Sequence, residues 1–226
     1  MALSDWGFIL GAYLLGSIPQ LYLLGLLKGK RLSGDLHHEL WRQCGRPFGV
    51  IGFVSELVKG ALPVLIGRAL HLDIAVIALA GVAGVAGQMW PVFYHLDGEK
   101  GNSVGVAMSL ALTPLPFLIA FIFMAGGFLI RTLPRFLKKG QSVNDKFKLG
   151  GPPSNSFPLG MVIGFAVLPL SAWAFGWSAP VVLSYVLLFA LIMLRRATAG
   201  ITADLGKGKN LLTVISARLL YDRSEF

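Results

Sequence analysis

Ser103-Val104-Gly105-Val106-Ala107-Met108-Ser109-Leu110-Ala111-Leu112-Thr113-Pro114-Leu115-Pro116-Phe117-Leu118-Ile119-Ala120 decides how often this chain crosses a membrane. The stretch opens an apolar run from Ser103 to Ile130, longer than the ~20 residues one spanning helix needs. It reads either as one long helix or as a hairpin of two short limbs broken at Thr113-Pro114-Leu115-Pro116, since prolines at this spacing end helices. Outside it lie five further candidate spans: Trp6–Leu27, Phe48–Leu70, Ile74–Leu96, Phe157–Phe175 and Pro180–Leu194.

Charge chooses between the two readings. With the hairpin there are seven crossings, and an outside N-terminus makes segments 28–47, 97–102, 131–156 and 195–226 cytoplasmic; these hold 18 of the 20 Lys and Arg residues. The exceptions are Lys59, inside a span, and Arg68, near an outer end. One unbroken helix would put the basic residues of 131–148 and 195–223 opposite Lys28, Lys30, Arg31, Arg42 and Arg46, against the positive-inside rule. The expectation is an all-α polytopic membrane bundle of about seven transmembrane helices with one short hairpin pair. Its N-terminus lies outside and its C-terminus in the cytoplasm. The chain reads as a single integral membrane domain over 1–226, with 195–226 a cytoplasmic basic tail.

Composition agrees. The chain is 55% hydrophobic and 14% charged, with mean hydropathy +0.70, where soluble domains carry about 25% charged residues. Met1–Asp5 lacks the basic start of a cleavable signal. The net charge of +9 sits in connections between apolar runs, so it marks cytoplasmic loops in a multi-pass cell-membrane protein and implies no nucleic acid partner. Cys44 is the only cysteine, and no HExxH or CxxC spacing suggests a metal. Neither a GxSxG elbow nor a Walker A sequence is present, and nothing calls for a cofactor.

The residues that carry chemistry fall on the expected cytoplasmic face. Arg42 and Arg46 precede the second span, Lys100 follows the third, Ser154 and Ser156 precede the sixth, and Arg195 and Arg196 follow the last. Gathered in a bundle, they make a basic pocket suited to a phosphate on a partly hydrophobic molecule. Gly98 and Gly101 flank Lys100, and backbone N–H groups exposed by glycine form anion-binding concavities. For Arg195 and Arg196, ordinary positive-inside decoration is an equal reading. The basic loop 131–156, with Lys138, Lys139, Lys146 and Lys148, reads first as attracted to anionic membrane phospholipid.

Glu56 and Lys59 share a helix face three residues apart, which suggests mutual pairing as a brace. Gly16-Ser17-Ile18-Pro19 is expected to kink or thin the first span, and Gly81, Gly84 and Gly87 to mark close helix packing. His37 and His38 are adjacent and point differently, and nothing in the sequence orients either ring.

Gly16-Ser17-Ile18-Pro19, Asp35-Leu36, Phe48-Gly49-Val50, Lys59-Gly60-Ala61-Leu62-Pro63 and Gly87-Gln88-Met89-Trp90-Pro91-Val92-Phe93 with Gly98-Glu99-Lys100-Gly101 resemble one family. It is the acyl-phosphate-dependent glycerol-3-phosphate acyltransferases, the PlsY family, and the resemblance covers most of residues 7–112 in order. It implies a seven-helix membrane protein with an outside N-terminus, which moves a fatty acyl group from acyl phosphate to glycerol 3-phosphate, giving lysophosphatidic acid for phospholipid synthesis. It further implies that Lys100 and Arg42 contact phosphate, and that Ser154 or Ser156 stands near the family's serine at the sixth helix.

The chain also departs from the family pattern. Asp35-Leu36-His37-His38-Glu39 runs straight into Leu40-Trp41-Arg42, about nine residues short of the family's first loop. Glu99 stands for the usual glycine, Gln88 for the usual histidine, and Arg195-Arg196 is followed by neither the family's histidine nor its asparagine. His37 or His38 is then the available general base. The alternative to turnover is a degenerate homologue that binds an anionic lipid or acyl phosphate.

Overall fold

The computed structural model describes residues 1–137, 155–201, 204 and 210–223. Ten helices form among them: α1 (Leu3–Gly16), α2 (Gln20–Leu27), α3 (Leu36–Cys44), α4 (Arg46–Ala69), α5 (Ile74–Met89), α6 (Asn102–Leu112), α7 (Pro114–Leu137), α8 (Ser156–Ala174), α9 (Ala179–Thr198) and α10 (Leu211–Tyr221). Five apolar helical stretches are long enough to cross a membrane: Leu3–Leu27, Arg46–Ala69, Pro114–Pro134, Ser156–Ala174 and Ala179–Thr198. Leu10, Ile51, Leu118, Ile122 and Leu183 face outward and exposed, as a bundle in lipid requires. The chain is a multi-pass, all-helical membrane protein.

The bundle is organised around α5. It is short, with 16 residues, yet Val76 to Met89 are mostly buried because α1, α4, α6 and α9 surround it. Lipid tails are as apolar as leucine, so helices in a bilayer gain little by hiding apolar surface and associate through close backbone approach. The glycines supply that approach. A Cβ on Gly16 would lie 2.0 Å from the Gly84 carbonyl oxygen, one on Gly87 2.1 Å from that of Tyr13, and one on Gly60 2.2 Å from that of Val104. The expected packing role of Gly84 and Gly87 is what the structure contains.

Proline positions set the breaks, and side chains repair the freed carbonyls. The first span divides at Ser17-Ile18-Pro19; Gln20 N turns to Ile18 O, and Lys59 Nζ donates to Gly16 O at 3.0 Å and Ile18 O at 2.8 Å. The Thr113-Pro114 break also forms where expected. Pro116 cannot donate to Leu112 O, so Arg68 Nη2 does so from α4 at 2.7 Å, while Thr113 Oγ1 and Tyr185 OH meet at 2.5 Å.

Four expectations are corrected. The limbs after the break are unequal: α6 has 11 residues, but α7 has 24 and runs beyond Ile130 to Leu137, because it lies along α8 with Gly127 pressed on Gly160. The third span ends at Met89 and not Leu96, since Pro91 forces Trp90 out of helical geometry. Segment 28–47 holds a helix, α3, whose Leu36 and Leu40 are buried one turn apart and whose N-cap is Asp35, accepting from His38 N at 3.0 Å. Glu56 and Lys59 do not pair with each other: Lys59 serves the broken first span, and Glu56 faces α3 and α5.

Candidate active site

After Met89 the chain folds back on the end of α5. Leu96 N bonds Pro91 O at 3.0 Å and Gly98 N bonds Met89 O at 3.2 Å, with His95 and Leu96 in left-handed geometry. Only glycine fits at two points of this turn. A Cβ at Gly98 would sit 2.1 Å from Gln88 O, and Gly101 has φ +73 directly before α6. The Gly98 N–H is thereby used internally, so its glycine serves close folding while Lys100 is held at the turn's end.

Arg195 fixes the turn from α9. Its Nη2 donates to Asp97 Oδ1 at 2.6 Å and to Gly98 O at 2.5 Å, from a side chain 7% exposed. Arg196 is buried, donating to Pro158 O at 3.3 Å and Leu219 O at 3.4 Å. Both arginines are therefore built into the fold, which the reading of loop decoration did not require. Lys100 Nζ lies 3.0 Å from Asp222 Oδ1 and 3.3 Å from Asp222 O, just past α10.

Behind the turn lies a polar network that the sequence did not reveal. His37 Nε2 donates to Glu56 Oε2 at 2.6 Å, and Gln88 Nε2 donates to Glu56 Oε1 at 2.5 Å. Glu56 is 1% exposed, so its charge is satisfied wholly by side chains of neighbouring helices. This corrects the expectation that neither histidine is oriented: Glu56 orients His37. Burial opposes charge on His37, but the hydrogen bond and negative charge of Glu56 outweigh it and raise the imidazole above its ordinary value. Glu99 sits close by and accepts from Leu36 N; burial first, and then the charge of Glu56, push its carboxyl up to about 7. Gln88, Gly98, Glu99, Lys59, Ile18 and Leu36 line a cleft between the broken first span and the turn.

The remaining sequence candidates are spread around this end of the bundle. Arg42 Nη2 pairs with Glu39 at 2.7 Å on the same helix, 64% exposed, and holds that carboxylate below its usual range. The described contacts of Arg42 do not reach Lys100. His38 is exposed beside Glu39. Ser156 begins α8, next to Asn155, whose side chain accepts from Arg223. Ser154, Lys138, Lys139, Lys146 and Lys148 lie outside the described residues.

The missed groups were Glu56 as partner of His37, the partly buried Glu99 and the Asp222 end of α10. Asp35 as an N-cap before Leu36 and Leu40 at i, i+4 spacing was the available signal for α3. With α3 recognised, the route from His37 to the second span would have followed.

Comparisons with known proteins match the chain to one family. Residues 6–203 match the family described as glycerol-3-phosphate acyltransferase. The glycerol-3-phosphate acyltransferase of Aquifex aeolicus (strain VF5) is 30% identical over 71% of this chain and 88% of that protein. That of Desulforamulus reducens (strain ATCC BAA-1160 / DSM 100696 / MI-1) is 39% identical over 50% of this chain, and that of Geotalea daltonii (strain DSM 22248 / JCM 15807 / FRC-32) 34% identical over 53%. Against these two, the chain spans 60% and 66% of the relative's own length. The crystal structure of PlsY (YgiH), an integral membrane glycerol 3-phosphate acyltransferase in its lysophosphatidic acid form, is similar with TM-score 0.68 and 25% identity. That likeness covers 92% of this chain and 94% of that one. On the match over residues 6–203, this chain belongs to the glycerol-3-phosphate acyltransferase family.

Proposed function

We propose that the protein transfers a fatty acyl group from acyl phosphate to glycerol 3-phosphate, forming lysophosphatidic acid and inorganic phosphate for phospholipid synthesis. The observation that carries this is the clamp of Arg195 on Asp97 and Gly98, which fixes the Lys100 turn beside the His37–Glu56 pair's cleft. The family supports it, and the glycerol 3-phosphate form of the similar crystal structure is named for that molecule.

Lys100 supplies the phosphate-binding charge, with Arg42 as a second cation once it leaves Glu39. Gly98, Gly101, Arg195 and Arg196 shape and hold the turn. Acyl phosphate is already activated, so positioning and charge stabilisation supply much of the rate. The glycerol hydroxyl attacks the acyl carbon, the bond from that carbon to the phosphate oxygen breaks, and phosphate leaves with its charge held by Lys100. His37, oriented through Nε2, is the general base for the hydroxyl proton when neutral. Ser154 and Ser156 are candidates for further contacts to the leaving phosphate.

Orientation follows from charge. Our reading is seven crossings, with α6 and α7 as an unequal hairpin, the N-terminus outside and this end of the bundle on the cytoplasmic face of the plasma membrane; the 18 of 20 Lys and Arg residues gathered in the segments on that side support it. The test is phosphate release by purified protein in lipid. Release from acyl phosphate should require glycerol 3-phosphate and disappear in Lys100→Ala; acyl-phosphate binding without release by the unaltered protein would contradict turnover.

A further inference from the structure

The α10 segment ends in a contact that belongs to no part of the acyl-transfer chemistry above. Lys100, the cation assigned to substrate phosphate, is already held by a carboxylate of its own chain: Asp222 Oδ1 lies 3.0 Å from Nζ. Asp222 follows α10 and lies beyond residue 203, where the family match stops. The segment is docked by specific contacts. Val214 and Ala217 are buried as α10 packs on α8 and α9, and Arg196 donates to Leu219 O at 3.4 Å. Arg218 bonds Asp204 and the Ala199 carbonyl, and Arg223 bonds Asn155 at the start of α8. This anchoring sets Asp222 over Lys100 from one side.

We propose that Asp222 is an intrachain stand-in for the substrate phosphate, and so determines how tightly the site takes a phosphomonoester. The inference rests on the phosphate-binding role proposed for Lys100. A lysine ammonium has three donors and could bond two acceptors, but a dianionic phosphate beside the Asp222 carboxylate adds like-charge repulsion. Binding therefore displaces Asp222, and apparent affinity falls by the fraction of molecules with Lys100 uncovered. The Lys100 side chain is 38% exposed, so the internal pair is weak enough to open.

The backbone permits clean variants. Asp222 has φ +60, a left-handed conformation that asparagine and glycine both adopt readily. Asp222→Asn and Asp222→Gly thus remove the charge while preserving the helix end. Purified full-length proteins are titrated with glycerol 3-phosphate, and separately with inorganic phosphate, by calorimetry at fixed low salt. Both variants should bind glycerol 3-phosphate roughly two- to fivefold more tightly than the unaltered protein, the range expected for losing one exposed ion pair. Inorganic phosphate should shift in the same direction, since the phosphate carries the competition. Equal or weaker binding by both variants, with unchanged melting temperatures, would overturn the proposal and make the contact a brace for α10. Absence of binding in all three proteins would overturn the phosphate-site reading together with this inference; equal measurable binding would overturn this inference alone.

Discussion

Glu99 offers the sharpest test of the site's electrostatics. Its carboxyl is raised from 4.5 to about 7 by burial and by the negative charge of Glu56. The unfolded chain releases this proton near the ordinary carboxylate value, whereas the folded protein retains it to near neutrality. Between those points the folded state binds more protons, so stability falls as pH rises through the window and stays reduced above it. At about 1.4 kcal/mol for each tenfold change in proton affinity, this partly buried carboxylate costs at most on the order of 3 kcal/mol above pH 7. Glu99→Gln keeps the shape and the acceptor for Leu36 N but cannot ionise. For a chain of this size, roughly 2–4 °C accompanies each kcal/mol, so the variant should melt roughly 5–10 °C above the unaltered protein at alkaline pH. The two should converge near the ordinary carboxylate pKa. The assay is thermal unfolding in one detergent across acid to alkaline buffers. Loss of the Glu99 charge also removes one of the smaller influences that raise His37, behind burial and Glu56. A melting difference of the same size at every pH, or a less stable variant at alkaline pH, would refute the argument.

Other perturbations reach different parts of the structure. Glu56→Gln removes the two largest influences that raise His37, leaving burial opposed only by the weaker charges of Glu99 and Asp35, so its titration, followed by NMR of the ring protons, should move down from that of the unaltered protein; no change would contradict the pairing. In the unaltered protein, the stabilisation from His37 is present below its ordinary value of 6.5 and lost as pH rises through its higher folded value. In Glu56→Gln that dependence should shrink. Gly87→Ala drives a Cβ to 2.1 Å from the Tyr13 carbonyl and should cost roughly 3 kcal/mol or more in detergent melts, whereas Gly11→Ala, with no atom within 4 Å, should be nearly neutral. Arg195→Ala frees Asp97 and Gly98 and should slow phosphate release roughly tenfold or more through loss of charged hydrogen bonds, with partial recovery in Arg195→Lys. Full activity in Arg195→Ala would show that the turn holds itself.

What the sequence made legible was whatever depends on one residue's own chemistry. Pro114 and Pro116 end one helix and open the first turn of the next, and the balance of Lys and Arg separated the two readings of Ser103–Ile130. The closely spaced glycines of α5 announced close packing. The limits arose where geometry between distant segments decides. Glu56 and Lys59 sit on one face, yet the broken first span leaves two carbonyls for Lys59, while α3 brings His37 to Glu56. Arg195 and Arg196 carry the same charge as any cytoplasmic loop arginine, and only tertiary packing turns them into anchors for Gly98 and Leu219. Glu99, read as a departure from a glycine, is a partly buried carboxyl whose proton affinity depends on its surroundings and on Glu56. The α3 helix was hidden by its length of nine residues within a charged segment.

The central claim is that this end of the bundle turns acyl phosphate and glycerol 3-phosphate into product, and mass spectrometry of lysophosphatidic acid tests it most directly. Purified protein in lipid, given both substrates, should accumulate lysophosphatidic acid with equimolar phosphate, and Lys100→Ala should give neither. Product formed equally well by Lys100→Ala, or none formed by the folded unaltered protein, would contradict the account.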